Sequence, residues 1–220
     1  MKTLGRGKKW ERRSDERPAE LMAAGLRLFA ERGFAGTRLE DVAAKAGVSK
    51  ATVYLYFENK EKLFEAVVRD TVTPSMDQAS ALVDAFDGST PNLLRTLLTL
   101  LEGALDSPFP AVAKLVLAES GNFPELARLW ADVVARRMLA LLHRVVKRGI
   151  DRGEFRRVNP EDVAPLIVAP VVFLGLLKQS FGPHTDIQID RHSVLAAHVD
   201  MILRGLASLE PARTISKGER

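Results

Sequence analysis

The segment from Thr37 to Lys62, TRLEDVAAKAGVSKATVYLYFENKEK, constrains the fold more than any other stretch of the chain. Thr37 followed three residues later by Glu40 is a capping-box pattern. The hydroxyl would accept from the Glu40 amide, and the carboxylate would reach back to the Thr37 amide. A short helix is therefore predicted from Arg38. Val42, Ala43 and Ala46 give it a face of small apolar residues that another helix can approach closely. Gly47 stops it, because glycine enters the left-handed region without steric cost. Val48 plugs the turn, and Ser49 caps a second helix, Lys50 to Phe57. There Val53 and Phe57, four residues apart, share the inner face. Lys50, Ala51, Thr52, Tyr54 and Tyr56 are left on the outer surface.

Two short helices across a tight glycine turn form a helix-turn-helix signature. The second helix of that motif enters the DNA major groove N-terminus first. Lys50 suits guanine O6 and N7, while Ala51 and the Thr52 methyl suit a thymine methyl. The hydroxyls of Tyr54 and Tyr56 can reach phosphates, helped by the amides at the helix start. Asn59 caps the following helix and puts Lys60 in its first turn, in place for a backbone phosphate. Capped short helices around a glycine also occur in all-α domains that bind no nucleic acid. In that alternative the two tyrosines are half-buried core residues and the basic face is only solvated.

Charge favours the first reading. Residues 1–69 hold 15 of the 32 Lys and Arg but only 10 of the 28 Asp and Glu, so the whole positive excess lies in the segment carrying the helix-turn-helix. That asymmetry is expected of a phosphate-binding module. Much of it comes from Lys2, Arg6, Lys8, Lys9, Arg12 and Arg13, read as a disordered arm over residues 1–16 that either wraps toward DNA or only aids solubility.

These residues resemble the DNA-binding domain of the TetR family of transcriptional regulators. The resemblance runs from about Arg17 to Val68. It rests on Gly33-Phe34 closing the first helix, Thr37, Val42-Ala43, Ala46-Gly47-Val48-Ser49, Tyr54-Leu55-Tyr56-Phe57, Lys60-Glu61 and Leu63-Phe64. It implies that Thr37, Lys50, Ala51, Thr52, Tyr54, Tyr56 and Lys60 occupy DNA-facing positions. Arg38 and Ser49, beside them at the two helix starts, complete the candidate interface. AESGNFPELARLW, Ala118 to Trp130, resembles the regulatory domain of AefR-like and AcrR-like members.

The rest of the chain reads as helix. The first helix runs from about Arg17 to Arg32 and buries Leu21, Gly25, Leu28 and Phe29. A fourth begins after Asn59, and Pro74 should interrupt or kink it. Thr90-Pro91 reads as a cap and first-turn proline. Pro124 opens the longest predicted helix, to about Arg152, with one apolar stripe and a solvated basic face of Arg136, Arg137, Arg144, Lys147 and Arg148. Asn159-Pro160 starts a helix that is apolar around most of its circumference from Val163 to Leu177. The last helix spans about Asp190 to Leu209. Two such apolar helices suggest a four-helix dimer interface over about 160–180 and 190–208, as the resemblance also implies; the alternative is that both only complete the monomer core. The expected fold is all-α: an N-terminal three-helix DNA-binding domain (17–68) with a helix-turn-helix, then a helical ligand-binding and dimerisation domain (69–209) and a tail (210–220).

The expected function is a sequence-specific regulator, a homodimeric repressor that leaves a palindromic double-stranded DNA operator when a small apolar or amphipathic inducer binds. Leu101, Phe109, Phe123, Trp130 and Met138 are the candidate lining residues. The alternative is a sequence-tolerant architectural DNA-binding protein without an inducer. Catalysis is not expected. His143, His184, His192 and His198 lack metal-site spacing, and there is no cysteine, phosphate loop or nucleophile elbow. No metal or cofactor is expected. No 18-residue uncharged apolar run reads as a membrane span, and the basic start lacks an apolar signal core. A cytoplasmic location follows as the expectation.

Overall fold

The computed structural model describes residues 7–182, 185–186 and 189–208, with side chains from residue 17. Among these residues ten α-helices follow one another and no strand forms. They are α1 (Gly7–Arg32), α2 (Leu39–Lys45), α3 (Lys50–Tyr56), α4 (Lys60–Ala85), α5 (Thr90–Ala104), α6 (Phe109–Glu119), α7 (Pro124–Trp130), α8 (Arg136–Asp151), α9 (Pro160–Ser180) and α10 (Arg191–Leu206). A π-helical turn, Ala131–Ala135, joins α7 to α8. The helices group into two compact units. Met1–Pro74 with Pro108–Val134 forms one, and Ser75–Ser107 with Ala135–Arg220 forms the other. The unit that holds the helix-turn-helix therefore also takes in α6 and α7, a division that differs from the expected boundary at residue 68.

In the first unit the core is aromatic. Phe29, Phe34 and Phe64 are fully buried, and their ring centroids lie 5.4–5.6 Å apart. This spacing suits edge-to-face and offset contacts. Gly25 lets α1 close onto α4, since a Cβ there would stand 2.8 Å from Leu63 Cδ2. The end of α2 follows the sequence reading. Gly47 has φ +67, the Val48 amide donates to Ala43 O at 2.9 Å and the Gly47 amide to Ala44 O at 3.1 Å. This is a Schellman motif. Ser49 caps α3, accepting from the Thr52 amide at 3.1 Å, and Asn59 Oδ1 accepts from the Lys62 amide at 2.8 Å at the start of α4.

Other expectations need correction. α1 starts at Gly7 and not near Arg17, so residues 7–16 of the expected disordered arm are helical; residues 1–6 and the tail lie outside the described residues. The capping box does not form. The residue preceding α2 is Arg38, with extended backbone and no side-chain cap bond, and the Thr37 hydroxyl instead donates to Gly33 O at 2.8 Å. α4 continues through Pro74 to Ala85, although the division between the two units falls at that proline. The predicted long helix from Pro124 is divided by the π turn.

In the second unit α8 packs on α5 and α9, and α10 on α5 and α9. Leu93, Leu94, Leu97 and Leu98 of α5 are buried with Leu142, Val145 and Val146 of α8 and Ile167 of α9. Ser89, not Thr90, precedes α5, while Pro91 sits in its first turn as expected. The Thr90 amide donates to Glu154 Oε2 at 2.7 Å. Asn159 caps α9 by accepting from the Glu161 amide at 3.1 Å. The basic face of α8 is exposed at Arg136, Arg137, Arg144 and Lys147, as expected, with Arg148 half-buried, and several of its charges are paired. Arg137 pairs with Asp77 at 2.6 Å, Arg144 with Asp84, and Arg148 donates to Phe86 O and Gly88 O. α9 is long and apolar enough by length and composition to cross a bilayer, with a mean hydropathy of 1.7. It packs against α8 and α10, yet only 28% of that apolar stretch is buried.

Candidate nucleic-acid interface

α3 is seven residues long and strongly sided. Val53 and Phe57 are buried, while Lys50, Ala51, Tyr54, Leu55 and Tyr56 are exposed and Thr52 is half-buried. The tyrosines are thus surface residues, not core. Ser49 is exposed beside them, and its hydroxyl lies 2.8 Å from that of Thr52.

Glu40 organises the start of this face from α2. Its carboxylate takes Lys50 Nζ at 2.6 Å and the Tyr54 hydroxyl at 3.2 Å. The Lys50 ammonium also stands 5.8 Å from the centroid of the Tyr54 ring, within cation–π range. The hydrogen bond from Lys50 is the main cause that pulls the Glu40 carboxyl down to about 2, with a backbone hydrogen bond and Tyr54 adding to it. The same bond raises the Lys50 pKa. Both groups are therefore ionised across the physiological range.

Seven of the nine candidate positions, Arg38, Ser49, Lys50, Ala51, Thr52, Tyr54 and Tyr56, are exposed or half-exposed, on α3 and at the residues that precede α2 and α3. Two are not placed as expected. Thr37 is 1% exposed, and its hydroxyl is consumed by Gly33 O. It faces inward because the last carbonyls of α1 need a donor and the turn brings this hydroxyl beneath them. Lys60 is half-buried. Its ammonium donates to Phe34 O at 3.0 Å and lies 4.5 Å and 5.4 Å from the ring centroids of Phe34 and Phe123. It is turned into the protein.

Three residues on or beside this surface were missed. Leu55 is 82% exposed; with Val53 and Phe57 inward, a helical wheel alone puts it outward. Glu40 was assigned to the capping box. Glu119, whose carboxylate accepts from the Phe34 amide at 2.8 Å, is 85 residues from its partner and gives no local signal. The candidate inducer residues are also dispersed. Phe109 and Trp130 meet, with centroids 5.4 Å apart. Phe123 is spent against Phe34 at 4.9 Å. Leu101 and Met138 belong to the other unit. That unit has a cleft of about 630 Å³ lined by Leu105, Leu174, Leu177, Phe181 and Ile189, with Lys178 and Arg191 beside them. None of the five expected residues lines it.

A helix-turn-helix with such an outward face, in a chain otherwise built of packed helices, is the architecture of a DNA-binding transcriptional regulator. The chain belongs to the TetR family: residues 21–67 match bacterial regulatory proteins of the tetR family, and residues 87–192 match the tetracyclin repressor-like C-terminal domain. It is 26% identical over 194 residues to the uncharacterized HTH-type transcriptional regulator YvaF of Bacillus subtilis, covering 87% of this chain and 96% of that one. It is 29% identical over 160 residues to the HTH-type transcriptional repressor DhaR of Mycobacterium sp., covering 68% and 73%. Among solved structures, the transcriptional regulator FadR of Bacillus subtilis in complex with stearoyl-CoA superposes with a TM-score of 0.72. The match covers 86% of this chain and 98% of FadR, and at 18% identity it is a likeness of fold.

Proposed function

We propose that this protein is a cytoplasmic homodimeric repressor that binds a palindromic operator and leaves it when an apolar or amphipathic ligand binds. The carrying observation is the outer face of α3. Lys50, Ala51, Thr52, Tyr54 and Tyr56 stand outward on a helix anchored by Val53 and Phe57, and Leu55 joins them as a further apolar contact. One helix of this length reads three or four base pairs, and each correct contact contributes about 1–3 kcal/mol. That is too little to single out one site among those of a genome. Pairing doubles the contacts and sets the half-sites about one helical turn apart, roughly 34–36 Å, or a multiple.

A dimer face is available on α9 and α10. Leu166, Phe173, Val194 and Met201 are large apolar residues exposed there, on the two helices expected to pair. Repression is supported by the printed name of DhaR, and an amphipathic ligand by the stearoyl-CoA in the FadR complex. The cleft beside α9 and α10 is the candidate place for such a molecule on the strength of its apolar lining; its polar side chains include Asp190 beside Lys178 and Arg191, and both cations are paired with Asp106. To lower operator affinity a thousandfold the ligand must favour the released state by roughly 4 kcal/mol.

Selection from random duplexes tests the reading. A sharply enriched palindrome supports it, whereas sequence-tolerant binding without a motif supports an architectural DNA-binding protein. Sedimentation of dilute protein as monomer alone would reject the dimer. Long-chain acyl-CoA that leaves affinity for the selected operator unchanged, as fatty acids and other apolar compounds also do, would remove the ligand response.

A further inference from the structure

The corner between α1 and α2, residues 33–37, is held by more long-range contacts than a loop of its length needs. Phe34 is the hub. Its amide donates to Glu119 Oε1 of α6 at 2.8 Å, and its carbonyl accepts from Lys60 Nζ of α4 at 3.0 Å. Its ring, fully buried, touches Phe29, Phe64 and Phe123. The Lys60 ammonium lies over both Phe34 and Phe123. Both backbone bonds are charge-assisted, the stronger class of hydrogen bond. The carboxylate also sits near the C-terminal end of α1, where the helix dipole disfavours an anion, so ordinary capping does not explain it. Gly33 makes room for it: a Cβ there would stand 2.5 Å from Glu119 Oε1.

We propose that Glu119 and Lys60 are positioning residues for DNA reading. By gripping the two sides of Phe34, they fix the corner from which α2, and through it α3, is launched. This rests on the assignment of α3 as the reading helix. It gives Lys60 a role other than phosphate contact, and it gives α6, far along the chain, a direct part in the reading unit. The mechanical basis is short: the corner precedes α2 directly, and α2 is packed on both α1 and α3, so a loosened corner lets both short helices shift together.

The experiment is operator binding by the full-length protein over a salt series, with circular dichroism to confirm that each variant is folded at the binding temperature. Glu119→Ala should weaken operator binding about tenfold with an unchanged salt slope. Glu119→Gln, which keeps an acceptor for the Phe34 amide, should stay within about twofold of wild type. Lys60→Met, which keeps the stem over the rings and loses the ammonium, should weaken binding without changing the slope. A phosphate contact would instead lower the slope by about one, and that result overturns the assignment of Lys60. Folded Glu119→Ala that binds as wild type overturns the assignment of Glu119, as does an unfolded Glu119→Ala beside a Glu119→Gln that is folded but binds as poorly as a nonspecific protein. Wild-type protein that selects no duplex would instead remove the reading helix itself, a failure distinct from these.

Discussion

Two glycines turn the chain in the reading unit with almost the same backbone and different surroundings. Gly33, after α1, has φ +73, and Gly47, after α2, has φ +67. A Cβ on Gly47 would meet nothing within 4 Å, whereas one on Gly33 would meet the Glu119 carboxylate at 2.5 Å. Gly47 is required by the backbone alone. Gly33 is required by the backbone and by a side chain 86 positions further along the chain. A local rule accounts fully for the turn at Gly47 and only partly for the turn at Gly33.

The largest effect should come from Gly33→Ala. The left-handed conformation costs about 1–2 kcal/mol without glycine, and displacing the carboxylate from the Phe34 amide adds about 1–3 kcal/mol. A loss of roughly 2–5 kcal/mol in denaturant unfolding is expected, with weakened operator binding. The same substitution in a Glu119→Ala background should add only the conformational cost. If it still adds the full amount, Glu119 does not set Gly33 apart from Gly47.

Lys50→Ala is expected to relax discrimination at one operator position by about 1–3 kcal/mol, read by binding to operators changed one base at a time. Equal weakening on every sequence would mean that Lys50 serves only as a phosphate contact. Gly47→Ala should cost about 1–2 kcal/mol of stability, the same amount with Glu119 present or absent. Gly47→Val should cost more, since a β-branched residue resists positive φ.

The smallest effect is one of pH. The Glu40 carboxyl is lowered from its ordinary 4.5 to about 2 in the folded protein. The stability it contributes is fully present above pH about 4.5 and is lost as the pH falls toward about 2. Both charges are solvent-exposed, so the change should be small and salt-sensitive. Acid titration of unfolding by wild type and Glu40→Gln should diverge only in that window.

What was legible in the sequence follows the same division. The α2–α3 turn and the start of α4 could be read residue by residue because Gly47, Ser49 and Asn59 act on neighbours within five positions. The all-α class and the apolar stretch of α9 from Val163 to Leu177 were legible from composition and period. Thr37 was misread because one hydroxyl can serve either the helix it precedes or the helix it follows, and T-x-x-E does not reveal that Glu40 has Lys50 and Tyr54 as rivals for its carboxylate. The π turn at Ala131–Ala135 was hidden because its residues continue an ordinary apolar stripe. Lys60 looked like a phosphate contact because its inward partners, Phe34 and Phe123, are brought to it only by the folded unit. Leu101, Phe109, Phe123, Trp130 and Met138 share size and apolarity, which do not say which residues line one cavity: all five are half-buried, and none lines the cleft beside α9 and α10.

The grip of Glu40 on Lys50 and Tyr54 has one more consequence. The free protein keeps its foremost basic group neutralised by a resident decoy, at the spot where a nucleic acid would engage it. On the proposed reading of α3, a duplex that engages Lys50 and Tyr54 has to displace Glu40 from them, a modest cost because the pair is exposed.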